Sequence, residues 1–112
     1  MFSFQVDVGG CSSCRPIVTI PSGGGNYTRE VDYYAMGHLS RFVKTGAVRL
    51  ESNWHYGWDD LHTAAFENPD GTTVIVVHNP HSTNYANFSL DIDAKHYQYT
   101  DLPPQSVATF IK

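Results

Sequence analysis

Apolar and polar residues alternate through most of the second half of the chain, a pattern that predicts β-strands. The segment around which this half is organised is residues 61–80, LHTAAFENPDGTTVIVVHNP. Leu61 to Phe66 alternates with the period of two that a strand with two different faces shows. Asn68 to Gly71 suits a type I turn, with proline second and glycine last. Thr72 to Val77 is β-branched and apolar, which predicts a central strand covered on both faces.

Shorter segments on either side of this hairpin carry the strand pattern too. They are residues 47–52, 85–93, 97–99 and 107–111. With the two arms of the hairpin they make six short antiparallel strands, which is typical of a β-sandwich or a small barrel. In residues 47–52, Val48 and Leu50 share the face expected to be buried. Phe2 to Val8 alternates in the same way and predicts one more strand near the N-terminus.

One segment, residues 29–44, has helical periodicity. Its apolar side chains form a broad stripe. They are Val31, Tyr34, Ala35, Met36, Leu39, Phe42 and Val43. We expect Thr28 to cap the N-terminus of this helix and Gly46 to end it. Gly37 costs a helix about 1 kcal/mol relative to alanine, so it predicts close packing against a neighbouring element. The sheet is the only candidate cover within the chain, and such a helix needs one.

Length and charge exclude several classes of protein. A chain of 112 residues makes one domain, or one domain with part of another. Its net charge is −4 and its seven basic residues are scattered, so we expect no binding to nucleic acid or to anionic lipid. No apolar run reaches the roughly 20 residues that span a bilayer. Met1 to Gly10 lacks the features of a signal peptide; any export signal would lie elsewhere in a longer parent protein.

Cys11 and Cys14, in the segment GGCSSCR, leave several interpretations open. A local disulfide and a pair of free thiols both fit this spacing. A zinc site needs four ligands, and no second cysteine pair exists. A thioredoxin-like redox pair would open a helix, whereas an extended segment beginning at Pro16 follows here. Redox catalysis and metal binding are therefore the less favoured interpretations.

Two glycosylation sequons occur, at Asn26 and Asn87. A triplet of this kind is about as often a chance occurrence as a glycosylated site. Next to a candidate disulfide they favour an oxidising, secretory setting.

A loop with three aromatic residues, Trp54, Tyr56 and Trp58, precedes the central hairpin. Exposed aromatic rings beside polar side chains hold sugars in many proteins. The alternatives are a lid over the edge of the sandwich and a contact with a neighbouring domain. Histidine and aspartate also occur in and beside this loop, at His55, Asp59, Asp60 and His62. Their spacing matches no standard metal motif, and we expect neither a metal site nor a cofactor.

Three segments, in this order along the chain, resemble the C-terminal end of glycoside hydrolase family 30. They are VDYYAMGHLSRFVKTGAVRLES, AAFENPDGTTVIVVHNP and LPPQSVATFIK. The family contains glucosylceramidases and microbial β-1,6-glucanases, and the resemblance runs from about Gly9 to Lys112. It implies a mainly β fold: an antiparallel β-sandwich preceded by the last strand and helix of a (β/α)8 barrel.

The resemblance also implies a division of the chain and a partner. Residues 1–46 would be a remnant of the barrel and residues 47–112 the β-sandwich domain. The loop after the last barrel strand would lie at the substrate rim. Its residues are Cys11, Ser12, Ser13, Cys14 and Arg15. The partner would be the catalytic barrel of the parent enzyme, and the location secreted, extracellular or lysosomal.

Catalytic residues cannot be carried over from the family. A (β/α)8 barrel takes about 250 residues, far more than this chain has. Retaining glycosidases use two carboxyl groups about 5–5.5 Å apart. The glutamates here are Glu30, Glu51 and Glu67, and none matches a catalytic motif. We therefore expect the chain alone to be inactive.

Three functions remain. The favoured one is the non-catalytic sandwich of a family 30 glycosidase, which predicts an exposed apolar surface around Tyr33, Tyr34, Met36 and Phe42. The second is a free-standing carbohydrate-binding module that uses the loop from Trp54 to Trp58. The third is a small interaction protein that docks through its helix.

Overall fold

The computed structural model describes residues 15–52 and 61–112. The strand predicted for Phe2 to Val8 lies outside the described residues. One helix and eight strands occur within them. In chain order these are β1 (Val18–Thr19), β2 (Thr28–Arg29), α1 (Val31–Ser40), β3 (Val48–Leu50), β4 (His62–Glu67), β5 (Thr73–Asn79), β6 (Ala86–Ile92), β7 (Lys95–Leu102) and β8 (Ser106–Ile111).

The main sheet has four antiparallel strands in the order β3-β4-β5-β8. Strand β5 lies between β4 and β8, and Val74, Val77 and Asn79 on it are completely buried. This confirms the central strand that the β-branched run predicts. The turn before it closes with the Gly71 N–H donating to the Asn68 carbonyl at 2.9 Å. Gly71 has φ +81°, a conformation that glycine adopts without strain.

Two layers pack on opposite faces of this sheet. Phe110 of β8 contacts Phe88 and Tyr99 of the β6–β7 hairpin, with ring centroids 5.8 and 5.2 Å apart. The hydroxyl of the preceding residue, Thr109, lies 2.8 Å from Nδ1 of His38 in α1. Because adjacent strand residues point to opposite faces, the hairpin covers one face and the helix the other. The six strands from β3 to β8 confirm the mainly β, antiparallel fold.

The buried apolar core within the described residues is small. It consists of Ala65, Val74, Val77 and Leu102. On β6 the predicted alternation is present, but its apolar residues are only half-buried. The layer they belong to has two strands, and a two-stranded layer covers little area.

Helix α1 is shorter than the predicted range of 29–44 and does not begin at a threonine cap. Thr28 and Arg29 pair with β1, and Glu30 occupies the cap position without a side-chain cap bond. After the other end, the Asn68 carboxamide accepts from the Lys44 N–H at 2.8 Å and donates to the Phe42 carbonyl at 3.0 Å. Both ends of the predicted helix therefore bind other parts of the chain in place of extending the helix.

Two packing predictions were wrong. Val48, expected on the buried face of its strand, is 65% exposed because β3 is the edge strand of the sheet. Gly37, expected at a close contact, has nothing among the described residues within 4 Å of an added Cβ. The helix surface at Gly37 is open on that side.

Asn79 joins the end of β5 to two neighbouring loops. Its Nδ2 group donates to the backbone carbonyls of Asn84, Leu102 and Pro103 at 2.9–3.0 Å. Its Oδ1 accepts from the His81 N–H at 3.1 Å. The bond to the Leu102 carbonyl is buried, so removal of the Asn79 side chain leaves that carbonyl without a partner.

The register of β4 and β5 places His62 directly opposite His78. The two Nδ1 atoms are 3.2 Å apart. Burial, followed by the charge that His62 would carry, lowers the pKa of His78 below its ordinary value of 6.5. Protonating this imidazole therefore favours the unfolded chain.

We expect Asn79→Ala to lower the free energy of unfolding by about 2 kcal/mol, since it leaves the buried Leu102 carbonyl without its partner. Urea denaturation followed by circular dichroism measures this. Asn84→Ala is the matched control: it removes an exposed side chain bonded to Thr83 and leaves the Asn84 carbonyl in place. Its expected effect is below about 0.5 kcal/mol. Equal losses in the two variants would contradict the role of Asn79.

The lowered pKa of His78 predicts that the chain gains stability as the pH rises towards 6.5. The unfolded imidazole binds a proton near pH 6.5 and the folded one only at lower pH. The contribution is thus complete above 6.5 and is lost as the pH falls from there through the folded pKa. His78→Gln should flatten this part of the profile of Tm against pH. An unaltered profile in His78→Gln would refute the assignment.

Candidate functional site

The described residues include an exposed apolar surface on α1. We call it the helix face, and it consists of Val31, Tyr33, Tyr34, Met36 and Leu39. Their exposed fractions run from 38% for Tyr33 to 70% for Val31, and no residue of α1 is buried. At 3.6 residues per turn these five side chains are spread around the helix, with Tyr34 and Met36 on opposite sides, so the exposed apolar surface surrounds much of α1.

Three of the four residues expected at such a surface are on the helix face. Tyr33, Tyr34 and Met36 are exposed as predicted. Phe42 is half-buried instead, because it lies after the end of α1, where Asn68 binds its carbonyl at 3.0 Å. The surface is therefore centred one to two turns nearer the start of the helix than Phe42.

The helical segment is fixed to the sandwich at two points. His38 and Thr109 make two contacts, between Nδ1 and Oγ1 at 2.8 Å and from Thr109 Oγ1 to the His38 carbonyl at 3.3 Å. Lys44 forms an ion pair with Asp70 in the hairpin turn. The hydrogen bond from Lys44, followed by the bond from Thr72, holds the pKa of the Asp70 carboxyl well below its ordinary value. These contacts set the direction in which the helix face points.

An open cleft of about 570 Å³ lies beside the start of the helix face. Its lining residues are Asn26, Tyr27, Thr28, Arg29 and Tyr34. The Arg29 guanidinium lies 5.4 Å from the ring centre of Tyr27 and 5.0 Å from that of Tyr33. It also donates to the Tyr27 hydroxyl at 3.0 Å. Cation–π contacts of this type hold aromatic rings in place.

A second, mostly apolar cleft of about 300 Å³ separates the β6–β7 hairpin from the end of β8. Leu90, Tyr97 and Phe110 are among its lining residues. Asp93 and Lys112 form an ion pair, 2.8 Å long, in this region. The hydrogen bond from Lys112 lowers the pKa of Asp93, and the same bond raises the pKa of Lys112. The two layers of the sandwich thus separate at this end.

Most of the sequence-predicted site residues lie outside the described residues. These are Cys11, Ser12, Ser13 and Cys14 of the rim loop, and Trp54, Tyr56 and Trp58 of the aromatic loop. Arg15 is described: it is exposed, with its Nε 3.9 Å from an Asp32 oxygen. Both sequon asparagines, Asn26 and Asn87, are exposed.

The three glutamates occupy three different parts of the fold. Glu30 precedes α1 and accepts a bond from the Thr19 hydroxyl at 2.8 Å. Glu67 is the last residue of β4, and Glu51 follows β3. The register of β3 and β4 separates Glu51 from Glu67 by about three residues, or ~10 Å, along the strands. These two carboxyl groups do not have the spacing of a retaining glycosidase.

Several polar residues of structural importance carry no signal in the sequence. Asn68 and Asn79 are both buried and bind backbone groups of distant segments. The sequence marks Asn68 only as a turn residue, and it does not show the partners of the two asparagines that lie more than 20 residues away. Counting outward from the predicted turn pairs His62 with Val77, whereas the observed register is shifted by one residue and pairs it with His78.

Metal and membrane-spanning sites are absent from the ranges described above. Among residues 15–52 and 61–112, no three side chains of the metal-binding types lie close enough to share one ion. His62 is among these residues, whereas His55, Asp59 and Asp60 lie outside them. No helix in the described part has the length and apolarity needed to cross a membrane.

Comparison with known proteins gives a family for this architecture. Residues 46–110 match the model of the glycosyl hydrolase family 30 beta sandwich domain. The endo-1,6-β-D-glucanase neg1 of Aspergillus fumigatus is 32% identical over 111 residues, covering 96% of this chain and 22% of the relative. The endo-1,6-β-D-glucanase BGN16.3 of Trichoderma harzianum is 32% identical over 106 residues, covering 92% of this chain and 21% of the relative.

A solved structure agrees with these relatives. The endo-β1,6-glucanase BT3312 superposes with a TM-score of 0.75 at 32% identity, covering 92% of this chain and 22% of that one. The chain thus spans about a fifth of the length of the relatives it matches. The antiparallel sandwich and the family match together show that this chain belongs to glycoside hydrolase family 30 and contains the family's β-sandwich domain.

Proposed function

We propose that this chain acts as the supporting sandwich of a family 30 glycosidase and holds a catalytic (β/α)8 barrel through the helix face. One observation carries the proposal: α1 is tied to the sandwich through His38 and still exposes five large apolar side chains around its surface. An isolated domain gains nothing from keeping these side chains in water. A domain that packs against a barrel buries them.

The small core supports the same proposal. Four apolar side chains are buried among the described residues, while twelve large ones are more than a third exposed. Small domains with little buried area commonly depend on a further contact for stability. A barrel packed on the helix face supplies that contact, so the sandwich and its partner stabilise each other.

We propose the following division of the chain. Residues 1–46 belong with the barrel and supply its last helix, and residues 47–112 form the sandwich. Cys11 to Arg15 then follow a barrel strand at its C-terminal end, where such barrels bind substrate. The cleft beside Tyr27 and Arg29 lies in the same connection between strand and helix, since that connection ends at Glu30.

The names of the relatives point to a substrate. The two fungal relatives and the structural neighbour are named as β-1,6-glucanases. We propose that the enzyme containing this sandwich cleaves β-1,6-linked glucan, with glucosylceramide as the competing substrate from the family resemblance. Hydrolysis of a polysaccharide outside the cell fits a secreted enzyme glycosylated at Asn26 and Asn87, both of which are exposed.

The purified 112-residue chain is expected to show no hydrolysis of 4-nitrophenyl β-glucoside or of β-1,6-glucan above the buffer rate. Glu51 and Glu67 are too far apart for the mechanism of a retaining glycosidase, and the chain is too short to contain a barrel. Release of 4-nitrophenol and of reducing sugar measures the rate. Turnover that is abolished by Glu30→Gln, Glu51→Gln or Glu67→Gln would overturn the assignment of a supporting role.

A chimera tests the supporting role directly. In it, these 112 residues replace the aligned segment of the Aspergillus fumigatus endo-1,6-β-D-glucanase. We expect the chimera to hydrolyse β-1,6-glucan. Tyr34→Lys and Met36→Lys should each destabilise it by about 2 kcal/mol or more, because burial of such a side chain is worth roughly 1.5–3 kcal/mol. Thermal denaturation and residual activity after heating give the two readouts.

Tyr85→Lys is the matched control for the chimera. Tyr85 is 63% exposed and lies just before β6, away from α1. Its substitution should leave Tm and activity unchanged. If Tyr34→Lys and Met36→Lys behave like the control, the helix face does not contact the barrel.

A further inference from the structure

The cleft beside the start of the helix face contains a glycosylation sequon. Its lining includes Asn26 and Thr28, the first and third residues of the sequon, and Tyr27 between them. Arg29 and Tyr34 complete the lining of this space of about 570 Å³. Asn26 is exposed, so its carboxamide is accessible for the attachment of a sugar. A glycan on Asn26 therefore begins at the wall of the cleft.

The size and chemistry of the cleft suit a sugar residue. Its volume lies within the range of about 300–1,000 Å³ that is usual for small-molecule sites, which combine aromatic surface with a few polar groups. Tyr27 and Tyr34 are 56% and 59% exposed, so both rings offer apolar surface. A guanidinium has five N–H donors, and Arg29 directs one to the Tyr27 hydroxyl at 3.0 Å. No ion pair within residues 15–52 and 61–112 involves Arg29, so its other donors can bind sugar hydroxyls.

One wall of the cleft is held by contacts that exist without any sugar. The backbone of Arg29 pairs with Val18 of β1, and the guanidinium lies 5.0 Å from the ring centre of Tyr33 on α1. The next residue, Glu30, donates its N–H to the Ile17 carbonyl at 3.0 Å. A surface that is already ordered loses little conformational entropy when it binds a ligand.

We propose that an N-linked glycan on Asn26 places its first N-acetylglucosamine in this cleft, against the Tyr27 ring and the Arg29 guanidinium. This role of the glycan rests on the secreted, glycosylated state proposed above. Attachment forms a bond from Asn26 Nδ2 to C1 of the sugar; the donor's lipid diphosphate is the leaving group, and Nδ2 loses one proton. Residues 23–25, which precede Asn26, are glycines, and glycine loses more backbone freedom on folding than any other residue. A sugar held in the cleft restrains this segment where it approaches β2.

The second sequon supplies a matched control. Asn87 is exposed on β6 and lines neither of the two clefts described above. Its neighbour Phe88 contacts Phe110 on the inner side of the hairpin, so Asn87 lies on the outer side. Its Oδ1 accepts from the Asp101 N–H at 2.8 Å. A glycan there has the same chemistry as one on Asn26 but has no cleft to occupy.

Thermal denaturation of the chain secreted from a eukaryotic host that attaches high-mannose glycans tests the proposal. In Asn87→Gln, which keeps only the Asn26 glycan, complete removal with peptide N-glycosidase F should lower Tm by at least about 3 °C. Trimming to one N-acetylglucosamine with endoglycosidase H should change Tm by less than about 1 °C, because the first sugar remains in the cleft. In Asn26→Gln, neither treatment should change Tm by more than about 1 °C. Equal losses in the two variants would overturn the proposal.

Tyr27→Ala, made in the Asn87→Gln background, tests the contact itself. The Tm of this double variant should no longer respond to removal of the glycan, because the ring that holds the sugar is absent. Two forms of the same variant are compared, so a general loss of stability does not affect the result. Tyr34 belongs to the helix face as well, whereas Tyr27 lies outside it and separates the two proposals. A response as large as that of Asn87→Gln alone would contradict the contact.

Two measurements on the unsubstituted chain distinguish failure of this contact from failure of the proposed function. Intact mass and peptide mapping of the secreted chain show whether Asn26 carries a glycan, and its absence would refute the glycosylation proposed above together with the contact. With the glycan attached, we expect nuclear Overhauser contacts between its first sugar and the Tyr27 ring. Their absence would refute the contact alone. Neither result bears on the helix face, which the chimera tests.

Discussion

The carboxamide of Asn68 is the constraint on which the arrangement of helix and sandwich depends. Asn68 is the first residue of the central hairpin turn and is 3% exposed. It accepts from the Lys44 N–H and donates to the Phe42 carbonyl, two groups that a continuing helix would have used for itself. These bonds therefore end the helical segment and fix it to the turn at the same time. The ion pair of Lys44 with Asp70, in the same turn, adds a second tie between the two segments.

The helical segment is tied to the sandwich, yet the described residues leave part of its surface uncovered. The main sheet is covered by the β6–β7 hairpin on the face that carries Phe110 and by α1 on the face that carries Thr109. The helix is therefore an outer layer, and nothing among the described residues covers its far side. Large apolar residues of the helix, Tyr34 and Met36 among them, are exposed because the described layers end at the helix. A partner with a complementary apolar surface completes the structure.

Much of the sandwich could be predicted from the sequence, because its signals are local. The turn from Asn68 to Gly71 and the β-branched run after it located the central hairpin. Helical periodicity located α1, but the predicted apolar stripe was wrong: its apolar residues are spread around the helix. The helix bounds were wrong because the groups that end it are distant in sequence. Val48 was misplaced because alternation identifies a strand but does not say that the strand lies at an edge. Sequence spacing grouped His62 with the preceding loop, whereas the strand register pairs it with His78.

The buried polar groups of the described residues are of the kind that holds segments together, and not of the kind that a glycosidase uses for catalysis. Asn68 and Asn79 are the two buried polar residues among those described, and both are neutral carboxamides. A carboxamide donates and accepts at once, so it can join backbone groups of separate segments without burying a charge. A glycosidase needs the opposite: two carboxyl groups, one of them ionised, in a protected cleft. The polar interior of the described residues is suited to holding segments together, and the chemistry on a sugar requires groups that a barrel would supply.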